Sequence, residues 1–451
     1  MTNWNVVDLS EVRSGFRIDA EFYRSEFLAA DHELAKLTRK TIGSCASVTD
    51  GEHGSVNLTT DGIKYLTAEN VKQGYVETER VRYVGPEVDR RNARARVREG
   101  DVLVSIKETL GEIGLAEQDL LPANMNRDIA IIKIHSHISG AYLTAFLRSR
   151  FGVYQLSREG SGGVQQMITL GRLRTVQVVI LPQEQQDEVA RLQIEGLEKR
   201  KESKLLYSEA QQLLESELDL DKLTFQKPVG YTARFSDLET SLRSDAQHYQ
   251  PRFQQLTDHL SAFPIERVRT IRVYNRRGLQ PIYAQNGKVD VINSQHLGPR
   301  HIDYEGLAKT NLASFAAGPE AHIRQEDLLI YTTGAYIGRT NVYLSGAPAM
   351  ASNHVNILRL RPGIDAAYMA MVFQSVVGQF QTQKFARGSA QAELYPADID
   401  RFVVPLIDCK QQKAIGDLVR ESLGKQQESR RLLEQAKARV EQLIEEAARA
   451  S

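Results

Sequence analysis

Shifted by 226 positions, the distance from Ile168 to Leu394, this chain matches itself. ITLGRLRTVQVVILPQEQQDEVARL (168–192) meets LYPADIDRFVVPLIDCKQQKAIGDL (394–418), superposing Leu173 on Ile399, Leu181 on Ile407 and Gln185-Gln186 on Gln411-Gln412. FRIDAEFYRSEF (16–27) meets LRSDAQHYQPRF (242–253), GIKYLTAENV from Gly62 meets KVDVINSQHL from Lys288, and GDVLVS from Gly100 meets EDLLIY from Glu326. ESKLLYSEAQ from Glu202 meets ESRRLLEQAK from Glu428. One offset with few gaps spans the chain, so it is a tandem duplication of units about 225 residues long. That period is far beyond the roughly 20 to 50 residues of solenoid repeats, so each copy is a domain-sized object. Residues the copies share should be scaffold, and residues that differ should carry what is particular to each. Val81–Arg98 (VRYVGPEVDRRNARARVR) against Leu307–Arg324 (LAKTNLASFAAGPEAHIR) is such an unlike stretch.

The 41% hydrophobic content is ordinary for a soluble globular chain. No apolar run approaches the roughly 18 residues of a membrane span, and the start lacks a charged-then-apolar leader, so a cytoplasmic protein is expected. Cys45 and Cys409 do not correspond under the shift, which argues against a disulfide framework or a thiolate metal site. Net charge is zero, yet it is unevenly spread. Arg80, Arg82, Arg90, Arg91, Arg94, Arg96 and Arg98 crowd one segment of the first copy, and Arg267, Arg269, Arg272, Arg276 and Arg277 crowd a different one in the second. Such segments supply phosphate attraction and bidentate base contacts.

Each copy runs from a helical preamble through short apolar strands into a long helix. GIKYLT, GDVLVSI, DIAIIKI and TVQVVIL in copy one, and KVDVIN, DLLIYTT, HVNILRL and RFVVPL in copy two, predict strands. AYLTAFLRSRFGVYQL and AAYMAMVFQSVVGQFQTQ predict a helix between the last two strands of each set. Both middles are therefore α/β (α+β) globules. From Gln183 to about Leu218 there is no proline and one glycine, which predicts a rod of roughly 54 Å. Its apolar seam, Leu206, Ala210, Leu213 and Leu218, has a counterpart in Leu432, Ala436, Val440, Leu443 and Ala447. A seam so narrow predicts that the two rods pack on each other as an antiparallel coiled coil, giving a pseudo-two-fold arrangement. The expected domains are 1–182, a first globule; 183–222, the first rod; 223–408, a second globule; and 409–451, the second rod. Two readers on one face of a duplex sit about 34 to 36 Å apart, a span such rods could set.

At this point the residues resemble a known family, the specificity (S) subunits of type I restriction-modification systems. TDGEHGSVNLTTDGIKYLTAENVKQGYV (49–76) is similar to the opening of that family's target recognition domain. GDVLVSIKETLGEIGLAEQDLLPANMNRDIAIIKI resembles its central strands and Asn-rich loop, and SGGVQQMITLGRLRTVQVVILPQEQQ resembles its closing segment before the conserved helix. Copy two departs from it, with Arg276-Arg277 where Asp50-Gly51 stand and Asp408 in place of Pro182. The resemblance implies two tandem target recognition domains, each reading one half of a split double-stranded DNA sequence. It implies a non-catalytic, DNA-binding subunit whose helices dock methyltransferase subunits, two being expected, together with restriction/translocase subunits. It places S-adenosylmethionine, ATP and Mg²⁺ on those partners and no cofactor on this chain.

The residues agree in lacking catalytic motifs. There is no Pro-Pro dipeptide for an amino-methyltransferase turn and no GxxxxGK[ST] phosphate loop. Asp61, Glu69 and Lys72 have the wrong spacing for a nuclease set, and His135 and His137 form an isolated His-x-His at a strand end, so no metal is expected. Expected DNA-binding residues of copy one are Asp50, His53, Lys107, Asn124, Asn126, Arg127, Arg158, Gln165 and Gln166, with Arg90, Arg91 and Arg94 on phosphates. Those of copy two are Tyr274, Arg276, Arg277, Asn293, Gln295, Thr332, Thr333, Asn353, His354, Arg387 and Gln391. Amide side chains suit adenine and Arg suits guanine in the major groove. Alternatives are a type IIB specificity subunit with a fused restriction-methyltransferase partner, a self-sufficient nuclease or methyltransferase, and a coiled-coil scaffold.

Overall fold

The structure, a computed structural model, describes residues 12, 18–107, 109–160, 167–225, 228–388 and 391–450. The chain forms two compact units, one of residues 1–201 with 426–451 and the other of residues 202–425.

In unit 1 the central sheet is antiparallel, in the order Ala46–Asp50, Ile129–Ile134, Val102–Ser105, Ile113–Leu115. A second sheet runs Ala123–Met125, Ile63–Leu66, Arg82–Val84, Leu58–Thr59, and only its first pair is parallel. Unit 2 repeats the first sheet as Arg272–Arg277, Val355–Leu360, Asp327–Tyr331, Thr340–Tyr343, and three strands of the second as Ala308–Thr310, Val289–Ile292, Ala349–Ala351, with a different fourth strand, His322–Ile323, on the opposite edge. Most matching strands keep the sequence offset; Ile129–Ile134 and Val355–Leu360, for instance, are 226 apart at both ends. The Pro86–Arg91 and Leu312–Ala317 helices also correspond, although one is basic and the other apolar.

The single helix expected between the last two strands is two helices in each unit. Gly140–Arg148 and Arg150–Glu159 are separated at Ser149, whose hydroxyl accepts from Gly152 N–H; Ala366–Gln374 and Val376–Phe385 are separated at Ser375 in the same way, capping Val377. A serine that caps a new helix ends the previous one, because its own backbone is extended.

The rods are Gln183–Glu217 and Cys409–Ala450. Within unit 1, Arg439 clasps Glu188 through Nε and Nη2 (2.9 and 3.1 Å), and Ser429 Oγ donates to Gly196 O (2.6 Å). Within unit 2, Ser422 Oγ donates to Ser203 O (2.8 Å) and Gln411 to Glu217. Position numbers rise on one rod as they fall on the other, so the rods are antiparallel. The seam is not the isolated coiled-coil stripe expected. Val189, Ala190, Leu197, Leu433, Ala436, Val440, Leu443 and Ile444 are continuous with the core of unit 1 that holds Tyr142, Phe146 and Val104. Tyr207, Ala210, Leu214, Leu218, Ile415 and Val419 join the core of unit 2 in the same manner. The buried stripe therefore includes Tyr207 and Leu214, and the expected Leu206 and Leu213 are half-buried.

Arg148, nearly buried, donates to Leu433 O (3.0 Å) and Glu434 (2.8 Å), so the second rod closes unit 1 by polar as well as apolar contacts. Residues 1–225 alone lack that rod. An identical second chain offers Tyr207, Ala210, Leu214, Glu217 and Leu218 at the positions of Leu433, Ala436, Val440, Leu443 and Ile444. Light scattering on this fragment should therefore find a concentration-dependent homodimer, weakened by the charge of Glu217; a fragment that remains a stable monomer at all concentrations would contradict the sealing role.

Candidate nucleic-acid interface

In unit 1 the candidate residues gather where the strand Ala46–Asp50 ends. Gly51 is required there, since a Cβ would stand 2.1 Å from Met125 O. Glu52 N–H donates to Met125 O (2.9 Å) and Glu52 O accepts from Arg127 N–H (3.0 Å), which ties the loop to the second sheet. Side chains then reach across from the variable segment. Arg91 Nε donates to Glu52 Oε2 (3.0 Å) and Arg94 Nη2 to Asp50 Oδ1 (3.3 Å). His53 Nε2 lies 2.7 Å from Asp50 Oδ2, and Lys107 Nζ lies 3.4 Å from Asp128 Oδ1. The Asn126 amide donates to Asp128 (2.7 Å). Arg90 and Arg127 are exposed and make no ion pair among the described residues. Gly54 N–H, ahead of Arg91, holds the Glu52 carboxyl below the usual carboxylate range.

The structure gives Asn124 and Arg158 other work than the one expected of them. Asn124 is fully buried: its amide donates to Asp89 (3.0 Å) and Asn92 O (3.2 Å), and its oxygen accepts from the Asn92 amide (2.9 Å). It faces inward and buttresses the basic segment, because a buried amide must be satisfied internally. Arg158 is committed to Phe22 O (2.9 Å), to Asp31 and to the Phe22 ring, so it anchors the preamble. Gln165 and Gln166 lie outside the described residues.

Unit 2 builds the same place with other chemistry. Its strand Arg272–Arg277 has a register shift between Arg272 and Tyr274, after which Arg277 pairs with Asn356 as Asp50 pairs with Ala130. The one-residue bulge therefore puts Arg277 where Asp50 stands, and Gly278 where Gly51 stands; a Cβ on Gly278 would be 2.0 Å from Ala351 O. This corrects the pairing of Arg276-Arg277 with Asp50-Gly51. Arg276 is exposed with no ion pair among the described residues. Arg277 donates to Leu394 O (2.9 Å) and lies 4.8 Å from the Tyr395 ring, with Arg387 6.0 Å from that ring and bonded to Asp398 (2.7 Å).

Thr333 bridges to Glu393, close to the exposed Gln391, and Asn353 and His354 lie on the adjoining turn. Asn293 and Gln295 follow the neighbouring strand, whose Ile292 O accepts from Ser352 N–H (3.0 Å). Thr332 is fully buried, with its hydroxyl on His354 O (2.9 Å), and it positions that turn without facing solvent. Tyr274 is half-buried, with its hydroxyl on Glu320 O and Arg359 over its ring (5.2 Å).

Sequence reasoning missed Glu52, Asp89, Asp128, Glu393, Tyr395 and Asp398. Glu52 sits inside the TDGEHG stretch, and acids interleaved with candidate cations were the available signal. Among the described residues no group of His, Cys, Asp and Glu could hold a metal ion, and no helix is long and apolar enough to cross a membrane.

Together these features define a duplicated α/β protein whose two units share a scaffold and present unlike polar faces. No family profile matches the chain. Over 134 residues, 29% of this chain, the sequence is 26% identical to the specificity subunit of the type I restriction enzyme EcoBI of Escherichia coli; the match spans 28% of that relative's length. Among solved structures the chain is similar to the S subunit of a type I restriction-modification system from M. genitalium (TM-score 0.43, 12% identity, 91% of this chain and 95% of that one). It is similar also to the HsdS subunit from Thermoanaerobacter tengcongensis (TM-score 0.30, 14% identity, 91% and 97%).

Since Asn124 supports the segment from inside, Asn124→Ala should cost about 1 to 3 kcal/mol of stability by leaving Asn92 and Asp89 without their partner. Denaturant unfolding checks this; unchanged stability would return Asn124 to the candidate readers.

Proposed function

We propose that this chain is the DNA-reading subunit of a restriction-modification complex. Each unit reads one half of a split duplex sequence, and the rods set the unread gap and dock two methyltransferase subunits. Adenine-N6 methylation with S-adenosylmethionine, and restriction driven by ATP with Mg²⁺, belong to the partner subunits, so this chain is not itself an enzyme. Its place of action is the cytoplasm, where its DNA is.

One observation carries the proposal. At the same strand end of a repeated scaffold, unit 1 has Asp50, Glu52, Arg91 and Arg94 where unit 2 has Arg277, Leu279, Ala317 and Glu320. A duplicated enzyme would repeat its reacting groups, whereas a reader of two different half-sites must vary them. The partial likeness to the EcoBI specificity subunit supports the same reading.

The chain purified with its methyltransferase partner should bind a duplex carrying its site with strong salt dependence. Given DNA, Mg²⁺ and S-adenosylmethionine but no partner, the chain should leave the DNA uncut and unmethylated; activity from the chain alone would contradict this role. Arg276→Ala should weaken one half-site only, by about 1 to 3 kcal/mol if Arg276 makes a bidentate base contact. Equal damage to both halves would remove that assignment. Insertion of about seven residues after Lys201 and again after Lys425 should lengthen the paired rods by roughly 10 Å, or about three base pairs at 3.4 Å per step. Sequencing of modified sites should then find the same letters with a longer gap, and an unchanged gap would exclude the rods as its ruler.

A further inference from the structure

Arginines of the two units are held in three distinct ways. Arg272 grips Asp400 with both Nε and Nη2 (2.6 and 2.8 Å), and Arg359 grips Asp327 likewise (2.7 and 2.6 Å), which uses one whole edge of each guanidinium. Arg94 is held at Nη2 by Asp50, which takes one tine of its fork. Arg91 differs from all of these. Its Nε alone donates to Glu52, and its two terminal nitrogens have no partner among the described residues. The Glu52 side chain is only 13% exposed and that of Arg91 is 58% exposed, so the carboxylate forms a base from which the fork projects.

The base is rigid. Glu52 is bonded through its backbone to Met125 and Arg127, and its other carboxylate oxygen accepts from Gly54 N–H (3.0 Å). Arg91 ends the Pro86–Arg91 helix, which is braced in turn by Asp89, Asn92 and buried Asn124. A guanidinium held at Nε has its rotation limited while its Nη1/Nη2 pair stays parallel and free. That pair matches the O6/N7 edge of guanine in the major groove, and a fork ordered in advance loses less entropy on contact.

Arg96 is also held at Nε, by Asp89 (2.6 Å), but its carbonyl accepts from Lys133. Lys133 pairs with Ser47, three residues down the strand from the loop end at Asp50. Arg90 and Arg127 are unpaired among the described residues but nothing orients them, whereas Arg91 combines a fork held at Nε with a place beside His53, Arg94 and Arg127. The matching positions of unit 2 are Leu279 and Ala317, which can form no such pair.

We infer that Arg91, oriented by Glu52, is a base-reading residue that recognises a guanine in the half-site of unit 1, rather than a phosphate contact. This rests on the DNA-reading role proposed above. Arg91 is the contacting group and Glu52 a positioning residue.

The test compares wild type, Arg91→Ala and Glu52→Gln, each expressed with the methyltransferase partner, by sequencing modified sites in host DNA and measuring salt-dependent binding to duplexes varied at each position. Arg91→Ala should lower the preference for guanine at one position of one half-site by roughly ten- to hundredfold, leaving the other half intact. Glu52→Gln keeps the size of the side chain, so it should relax the same position by a smaller factor while the salt slope stays unchanged. Uniformly weaker binding with unchanged letters and a salt slope reduced by about one would make Arg91 a phosphate contact and overturn the inference. A unit 1 half-site without guanine would also overturn it. A wild-type chain that directs no modification would remove the functional role itself, and this assignment with it.

Discussion

The burial of the rods' apolar stripes is the interaction on which the rest depends. Each rod is too hydrophilic on its outer faces to fold into a core of its own, and its inner stripe is divided between two cores. Val189, Ala190 and Leu197 of the first rod meet Leu433, Ala436 and Val440 of the second inside unit 1, while Tyr207, Ala210 and Leu214 meet Ile415 and Val419 inside unit 2. Full burial of one such aliphatic side chain is worth roughly 1.5 to 3 kcal/mol, so neither core is complete without a segment from the other copy. A second rod is thus a mechanical requirement, and the duplication supplies it within one chain.

On that support the scaffold can stay constant while its loops change. The bonds that define it recur at the same offset; Tyr142 donates to Val179 O and Tyr368 to Pro405 O, and Gln186 and Gln412 donate to the carbonyls of Leu181 and Ile407. At the strand ends beside Gly51 and Gly278 the constraints are looser. The close approach at Gly51 and Gly278 and the backbone bonds beside it are kept, while the side chains beyond are acidic with borrowed arginines in one unit, basic and aromatic in the other. The side chains of this face can therefore change without disturbing the core, since surface substitutions seldom cost more than about 0.5 kcal/mol.

Much of this was legible in the sequence because it is periodic. A fixed offset, strands of alternating or continuous apolar residues, and two proline-free segments are one-dimensional signals. What escaped was three-dimensional. The buried stripe includes Tyr207 and Leu214 beside the expected Ala210, because it must serve the partner rod and a globular core together, which turns it from the coiled-coil phase. The bulge at Arg272 to Tyr274 costs one residue of register and moves Arg277 onto the place of Asp50, which no ungapped comparison reveals. Asn124 and Thr332 have the composition of readers, yet both are fully buried. Glu52 was invisible as a partner of Arg91 because 39 residues separate them.

The claim that two unlike readers share one duplicated scaffold is tested most directly by sequencing the modified bases of a host that carries this gene with its methyltransferase partner. The expected result is one split motif, with two different halves separated by a constant number of unread positions. A continuous motif, or a split motif with identical halves, would contradict it.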